Sequence, residues 1–548
     1  MELRKAASAA PASQALGEGR HAAALGLVAR LKQRPYTALL AVTAVAAGAL
    51  LAGQRPFAFY SPDVSFHAAK LLRATHGELF RDPVSGTPSI YPAAFHAFFG
   101  TMNRLLDLDT LHLAVLIEVV DFLGLLGAAF CLARAVARDL DRAALCSLCL
   151  SLLFYSPTGR HILVVNPANF ALVLQVAGFA AVASAMRTSR NGMLAAGALL
   201  CGMAVNVVWY DAISAVALLG AVAVEKATRR PRDVRGAAPL LAFAVPFVFT
   251  VVHLIIVRDV LADSVGLVSP AVDGSVVREW AGAILTRGNS RFAAALERSP
   301  WARAHYLLVL APFGILVAVT AVAGLLRPPR DVAGEERRRL RVLGAAGLLV
   351  FALSFALSTT RDVPRVVRAE FPGWALLLVV AFRVASRSAA LRWGGPGLAA
   401  LAVGTIGYTV WHSGFGATSA PSPATQAVIR FIERLPDHPQ TRIFVTESNL
   451  RRLLPFVEFR SFVNHAHGRY YSQDLASAAQ MYEAYRDIRD RSGQWQADLA
   501  RYDVRYLAFR HAEGGAEREA ARRYLDGAGV VKANPEWSVV KAPRPAVE

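Results

Sequence analysis

The chain contains few charged residues and few cysteines. Of its 548 residues, 18% are charged, four are cysteine and 55% are hydrophobic, and the mean hydropathy is +0.38. A soluble domain has about 25% charged residues, so this chain is too apolar for a fold that faces water on all sides. Runs of about 20 apolar residues explain the excess, because a helix of that length crosses a hydrocarbon layer of about 30 Å. The sequence therefore predicts a polytopic membrane protein.

The four cysteines exclude a disulfide framework. Cys131, Cys146, Cys149 and Cys201 all fall inside apolar runs. The spacing of Cys146 and Cys149 matches a CxxC pair, but the surrounding apolar residues offer no further metal ligand. The pattern favours small buried residues that let helices pack closely.

The positive charge of the chain is concentrated between the apolar runs. The formal net charge is +19, whereas residues 413–548 carry 19 Lys and Arg against 16 Asp and Glu. The remaining surplus lies in short basic segments and in the tail 1–36, as expected for loops retained on the cytoplasmic side. This distribution argues against a nucleic-acid partner. It predicts a cytoplasmic N-terminus, and the Arg-rich and Ala-rich composition favours a bacterial inner (plasma) membrane.

Eleven apolar segments predict a transmembrane bundle over 37–411. They lie near 37–53, 111–133, 143–156, 168–186, 193–209, 211–225, 237–257, 305–326, 342–358, 372–386 and 395–411. Residues 192–225 are too long for one span, so two short helices that turn at Trp209, Tyr210 and Asp211 are preferred. An odd number of spans places the C-terminal region outside.

The composition changes after the last apolar segment. A linker rich in Gly, Ser and Pro covers 412–424, and 425–548 alternates helix and strand patterns. This alternation predicts a small extracytoplasmic α/β domain. The predicted fold class is thus an all-α membrane bundle of about eleven helices with an α/β domain at its end.

The outer segment 54–110 is unusually rich in titratable residues. It contains "SPDVSFHAAKLLRATHGELFRDPVSGTPSIYPAAFH", residues 61–96. Pro62 suits the first turn of a helix, on which Asp63 and His67 are one turn apart on the same face. A second helix is predicted from Pro92. Two such helices on the membrane surface would hold a carboxylate over the mouth of the bundle.

The outer segment resembles the first outer loop of C-type (GT-C) glycosyltransferases in its early Asp, the His that follows it, and the motifs "GELFRDP" and "YPAAFH". The order of apolar spans, outer segment and C-terminal α/β region also resembles theirs over nearly the whole chain. The resemblance implies a polyprenyl-phosphate-linked sugar as donor and Asp63 as the catalytic acid of the loop. Many members carry two adjacent acids there, whereas Val64 follows Asp63. A second acid would come from Asp82 or Glu78, and the use of Mg²⁺ or Mn²⁺ is left open.

The chemistry of sugar transfer points to further candidates. A base must face the acceptor hydroxyl, and a single carboxylate could serve in an inverting displacement. Arginine suits the departing phosphate, because its charge is permanent and its nitrogens bind two oxygens at once. The candidates in outer loops for phosphate binding are Arg291, Arg361, Arg365 and Arg368. The candidates for acceptor contact or a second acid also include Tyr91 and the intramembrane acids Glu118 and Asp121.

Each candidate also has a simpler explanation. Asp63 could cap a helix, His67 could be an interfacial histidine without a role, and Asp82 could form a turn. The arginines could bind the headgroups of membrane lipids. The leading hypothesis is a membrane glycosyltransferase that acts on an envelope glycan, lipid or protein. The alternatives are a transporter or flippase of lipid-linked sugars, for which no matching halves are visible, and a non-catalytic membrane scaffold.

Overall fold

The structure is a computed structural model of the chain. It describes residues 33–53, 62–80, 92–108, 110–137, 139–154, 165–208, 211–229, 234–256, 304, 308–309, 311–327, 332, 334–360, 370–414, 422–435, 442–445, 461–462, 475–511, 519, 522–524 and 529–543. Most of these residues are helical.

A helix lies over each of the eleven apolar segments. In chain order, together with the two helices of the outer segment, the helices are α1 (Pro35–Gly53), α2 (Pro62–Thr75), α3 (Ala94–Leu106), α4 (Thr110–Val136), α5 (Leu140–Phe154), α6 (Pro167–Thr188), α7 (Asn191–Val207), α8 (Ala212–Arg229), a 3-10 helix (Val234–Ala244) followed by α9 (Phe247–Ile256), α10 (Ala311–Leu326), α11 (Gly334–Thr360), α12 (Glu370–Val384) and α13 (Ala389–Gly414). The separation of α7 from α8 confirms the two short helices predicted for 192–225.

Four helical stretches in the described chain are long and apolar enough to cross a membrane. They are Pro35–Gly53, His112–Val136, Pro167–Thr188 and Ala238–Ile256, and shorter apolar helices cover Asn191–Val207, Pro312–Leu326 and Phe371–Val384. The prediction of a mostly helical membrane chain with a small sheet is confirmed. The count of eleven spans and the side of the membrane on which each end lies stay predictions.

Small residues allow the bundle helices to approach closely. A Cβ atom added to Gly178 of α6 would lie 2.8 Å from Sγ of Cys201 and 3.0 Å from the Gly197 carbonyl oxygen on α7. Close van der Waals contacts of this kind hold helices together in a membrane, where the hydrophobic effect does not drive their association. Cys146 and Cys149 are buried, as the pattern favours, and so is Cys201, whereas Cys131 is exposed on α4.

The C-terminal region forms a mixed five-stranded sheet. Its strands are β1 (Arg442–Val445), β2 (Ser461–Phe462), β3 (Val504–Arg510), β4 (Val530–Ala533) and β5 (Trp537–Lys541). The strand order is β2-β1-β3-β5-β4. Strand β1 pairs in parallel with β2 and β3, and β5 pairs antiparallel with β3 and β4.

Helices cover both faces of this sheet. Ile443, Val445 and Ala508 pack in one apolar cluster with α14 (Pro423–Glu433). Phe444, Leu507 and Phe509, which are next to these residues along the strands, pack in a second cluster with α15 (Leu475–Asp490) and α16 (Trp495–Arg501). This division follows from the alternation of side chains along a strand. We call the sheet with α14–α16 the C-terminal unit; the predicted domain boundaries at 411/412 and 424/425 stay predictions.

Candidate functional site

Helix α2 holds residue 63 in its first turn. Pro62 is the first residue of α2, as predicted, and Asp63 follows it in the first turn. The carboxylate of Asp63 lies outside the described part of the chain. His67 and Lys70 come four and seven residues after Asp63, so the helical period places all three positions on one face. That face is buried at His67, which is 2% exposed, and at Lys70, which is 0% exposed.

Helix α3 packs tightly against α2. It begins at Ala94, two residues after the predicted start at Pro92. A Cβ atom on Gly100 would lie 2.6 Å from Cβ of Ala74, so only glycine fits where the two helices meet. Nε of Arg104 donates a hydrogen bond to the Thr75 carbonyl oxygen at 2.6 Å, and Nη2 donates to that of Ala74 at 2.9 Å. Arg104 thereby caps the negative end of the α2 dipole.

Two histidine rings meet between these helices. Nδ1 of His67 lies 3.2 Å from Nε2 of His96, and His96 is fully buried. The ammonium group of Lys70 lies over the face of Phe66, 5.9 Å from the ring centre. Burial lowers the pKa of His96 well below its usual value, the nearby Lys70 and His67 lower this pKa further, and a contact with the Pro92 carbonyl partly opposes the shift. We call His67, Lys70 and His96 the basic cluster.

Helix α2 touches both main parts of the molecule. Leu71 belongs to an apolar cluster that α3 forms with bundle helices, together with Phe95 and Phe99 of α3. Ala69 instead belongs to the cluster that α14 forms with one face of the C-terminal sheet. The helix that carries Asp63 is therefore packed between the bundle and the C-terminal unit.

Glu78 lies at the far end of α2. Its carboxylate accepts a hydrogen bond of 2.6 Å from Nη1 of Arg73, and its backbone N–H bonds to the Arg73 carbonyl at 2.9 Å. These contacts close the turn in which Gly77 has a φ of +93°. Because fourteen helical residues span about 21 Å, the structure does not bring Glu78 to Asp63. We therefore leave Glu78 out of the proposed site.

The two acids predicted to lie within the membrane are in the first half of α4. Glu118 is half-buried, whereas Asp121 is 3% exposed. Neither carboxylate oxygen of Asp121 has a hydrogen-bond partner in the described part of the chain. A carboxyl group in this position faces the protein interior, as expected for acids within membrane helices.

Several predicted site residues fall outside the described residues. They are Asp82, Tyr91, Arg291, Arg361, Arg365 and Arg368. Their roles stay predictions. Among the side chains that the structure describes, no three His, Cys, Asp or Glu residues lie close enough together to hold a metal ion.

Sequence reasoning overlooked the partners of His67. His96 was visible in "YPAAFH" and Lys70 lies one turn from His67, but nothing in the local pattern says that the two helices meet at these positions. The only usable signal was Gly100, four residues after His96 and thus on the same face of α3. A glycine inside a helix commonly marks a close approach.

No protein-family model and no curated protein sequence matches the chain. Among solved structures, it is similar to the oligosaccharyltransferase AglB from Archaeoglobus fulgidus, in complex with an inhibitory peptide and a dolichol-phosphate. That match has 12% identity and a TM-score of 0.46, and it covers 89% of this chain and 71% of the other.

Two further solved structures are similar to the chain. ArnT from Cupriavidus metallidurans in the apo state has 15% identity and a TM-score of 0.44, with coverage of 95% of this chain and 98% of the other. The arabinosyltransferase EmbB from Mycobacterium smegmatis has 13% identity and a TM-score of 0.39, with coverage of 90% and 43%. At these values we argue the function from the chain's own residues. The neighbours are GT-C glycosyltransferases, the family that the outer segment resembles.

Proposed function

We propose that the chain is an integral-membrane glycosyltransferase that moves a sugar from a polyprenyl-phosphate carrier to an extracytoplasmic acceptor. The observation that carries the proposal is the placement of α2. Its first turn holds Asp63, and its buried face holds His67 and Lys70 between an apolar bundle and the C-terminal unit. A donor with an isoprenoid tail requires reactive groups beside an apolar bundle, and an acceptor outside the membrane requires a folded unit over them.

In the proposed reaction, Asp63 acts as the base. Its carboxylate takes the proton of an acceptor hydroxyl while that oxygen forms a bond to the anomeric carbon of the sugar. The bond from this carbon to the phosphate oxygen breaks, and the phosphate leaves with the electron pair. The displacement inverts the anomeric carbon and forms no covalent intermediate.

The departing phosphate needs cations that remain charged. The proposed ligands are the arginines of two predicted outer loops, because a guanidinium group can bind two phosphate oxygens at once. They are Arg291 in the first of these loops and Arg361, Arg365 and Arg368 in the second. Asp82 is the proposed second acid of the loop, and Tyr91 is a proposed contact of the acceptor. Glu118 and Asp121 are proposed as second acids that the bundle keeps away from water. The acceptor is an envelope glycan, a lipid or a protein, which the C-terminal unit would help to position.

A gene deletion would identify the reaction. Envelope glycans and polyprenyl-phosphate sugars are compared by mass spectrometry in the parent and deletion strains. We expect one sugar to disappear from the envelope while its polyprenyl-phosphate form accumulates. Accumulation of the carrier on the cytoplasmic side alone would indicate a flippase instead. Unchanged glycans and carriers would exclude both functions and leave a scaffold.

The Asp63→Asn substitution tests the base. Asparagine keeps the size of the side chain but cannot take a proton, so transfer should fall about 100-fold or more at matched protein levels. The measurement is the rate of sugar transfer to the acceptor that the deletion identifies. Asp107→Asn is the matched control: Asp107 is an exposed residue with a φ of 50° at the end of α3, where Asn fits equally well. If Asp63→Asn transferred sugar as fast as Asp107→Asn, Asp63 would not be the base.

A further inference from the structure

The exposed residues of α11 form a single stripe along the helix. Between positions 338 and 353 the exposed side chains recur about once per turn, and helix α11 packs against α8, α10 and α12 with its other sides. This spacing places them on one face, because three or four residues complete one helical turn. We call the set the α11 stripe; its members are Arg338, Arg341, Ala345, Leu349, Ala352 and Leu353.

The α11 stripe changes from charged to apolar after Arg341. From there to the end of α11 at Thr360, residues 342–360 include no charged side chain. These residues span about 28 Å as a helix, close to the thickness of the hydrocarbon layer, so Arg341 lies where the predicted membrane span begins. Leu353, which is 40% exposed, lies about 18 Å further along the helix. The apolar part of the stripe is therefore about as long as one leaflet of the bilayer is thick.

The arginine end of the α11 stripe adjoins charged residues of α8. Oε1 of Glu225 lies 2.6 Å from Nε of Arg229 and 3.9 Å from Nη1 of Arg338. The side chains of these two arginines are still 40% and 50% exposed. Arg341 is exposed and has no ion pair among the residues that the structure describes. One carboxylate therefore faces an excess of exposed guanidinium groups.

The other charged groups near this end leave the charge positive. Glu335 is exposed one turn before Arg338 and adds one negative charge, while Lys226 on α8 adds one positive charge. Glu336 is buried in an ion pair of 2.5 Å with Arg383 on α12, so it does not balance the stripe. The four cations of the stripe end and α8 thus exceed the acids Glu225 and Glu335 by two charges. This surplus lies beside an apolar surface and favours an anionic amphiphile over a neutral one.

We propose that the α11 stripe is a binding site for an anionic phospholipid. The phosphate of the lipid accepts hydrogen bonds from Arg338 and Arg341, and one acyl chain lies along Ala345, Leu349 and Leu353. Guanidinium groups suit this ligand, because they bind two phosphate oxygens at once and keep their charge. A soluble anion would make no use of the apolar part of the stripe, and a neutral lipid would leave the positive charge unbalanced. The inference does not depend on the proposed function.

Native mass spectrometry of the full-length protein tests the headgroup contact. The protein is equilibrated in nanodiscs of phosphatidylglycerol and phosphatidylcholine in equal amounts, and the lipids that stay bound after release into detergent are counted. We expect phosphatidylglycerol to be retained in preference. The double variant Arg338→Gln/Arg341→Gln should bind it about 30-fold more weakly, the combined effect of two arginines that each contribute as usual near an anionic headgroup.

The matched control removes the same charge at other exposed positions. Arg142 and Arg392 are exposed near the starts of α5 and α13, and Arg142→Gln/Arg392→Gln should retain phosphatidylglycerol as the parent does. Equal losses in the two double variants would indicate general attraction to the membrane surface and would overturn the inference. Equal retention of the two lipids by the parent would overturn it as well.

Photo-crosslinking of the parent protein locates the acyl chain and needs no variant that folds. Phosphatidylglycerol with a diazirine in one acyl chain is activated in nanodiscs, and labelled peptides are identified by mass spectrometry. We expect the label to concentrate on the α11 peptide that contains Leu349 and Leu353. Label spread evenly over the exposed apolar residues of α9, α10 and α11 would indicate only the bulk bilayer and contradict a site.

A helix of another protein or of a second copy of the chain is the rival occupant of the α11 stripe. Crosslinking in cells distinguishes it from a lipid when p-benzoylphenylalanine replaces Leu349. We expect no protein adduct on illumination, because a lipid covers this position. An adduct with a second copy or with any other protein would show that the stripe is a protein interface and would refute the lipid site.

Discussion

At the scale of single residues, the contact between α2 and α3 keeps three basic side chains away from water. Lys70 and His96 are fully buried, and His67 is nearly so. Burying a cation costs several kcal/mol unless other groups compensate for the lost hydration. The Phe66 ring provides part of this compensation for Lys70. An apolar residue at each position would pack without this cost, so the basic cluster is more easily explained by activity than by stability.

Gly100 tests whether the basic cluster depends on close packing of α2 and α3. Gly100→Ala would place a Cβ atom 2.6 Å from Cβ of Ala74. The helices must then separate, and we expect a loss of about 1–3 kcal/mol in the free energy of unfolding. Thermal unfolding in detergent measures the change.

The matched control is Gly127→Ala on α4, where an added Cβ has no atom within 4 Å. There the higher helix propensity of alanine should leave the stability unchanged or raise it by up to about 1 kcal/mol. If both variants unfolded at the same temperature as the parent, α2 and α3 would not pack as closely as described.

At the scale of secondary-structure elements, α2 connects the bundle to the C-terminal unit. Ala69 lies in the apolar cluster of α14, with Val428 and Ile432, while Leu71 lies in the cluster of the bundle. Ala69 is buried in this cluster and is 4% exposed. A change in the C-terminal unit can therefore reach the first turn of α2 through direct packing.

Ala69→Leu should weaken the contact between α2 and α14. The larger side chain has no room in a cluster where Ala69 is 4% exposed, so α14 must shift outward. We expect faster amide hydrogen exchange in α14, measured by mass spectrometry of its peptides. Ala97→Leu is the control, because Ala97 is half-buried on α3 and leaves α14 untouched. Unchanged exchange in Ala69→Leu would show that the C-terminal unit is not held by α2.

The sequence predicts elements well where the signal is local. Pro62 marks the first turn of α2, and α7 and α8 are the two short helices predicted for 192–225. The strands β3, β4 and β5 also match their hydrophobic patterns. In contrast, β2 and α16 were missed, because two residues of strand and seven of helix are too short to show a period.

The parts of the site that could not be predicted depend on contacts between distant residues. His67 and His96 are 29 positions apart, and their meeting depends on how α2 and α3 pack, which local periodicity does not contain. Glu78 pairs with Arg73, which is close to it in the sequence. The resemblance to a loop with two acids instead favoured Glu78 as a candidate second acid. The structure thus adds a partner to His67 and pairs Glu78 with Arg73 beyond the end of α2.

At the scale of the whole molecule, two exposed tryptophans lie near the two ends of the last predicted membrane span. Trp393 is 87% exposed and Trp411 is 61% exposed, near opposite ends of α13. They are 18 positions apart, which corresponds to about 27 Å along a helix. This is close to the thickness of the hydrocarbon layer, and tryptophan collects at its two interfaces. The excess of Arg in the short loops predicts that the Trp393 end lies in the cytoplasm.

Cysteine labelling at these two positions tests the orientation on which the proposed function depends. In a variant whose four native cysteines are replaced by alanine, Trp393→Cys and Trp411→Cys are treated with a membrane-impermeant maleimide. We expect Trp411→Cys to react in intact cells and Trp393→Cys to react only after the membrane is permeabilised. Because α14 and the C-terminal unit follow α13 directly, and Ala69 packs against α14, the label at Trp411 reports the side of the membrane that holds α2. The reverse pattern would place Asp63 in the cytoplasm and contradict transfer to an extracytoplasmic acceptor.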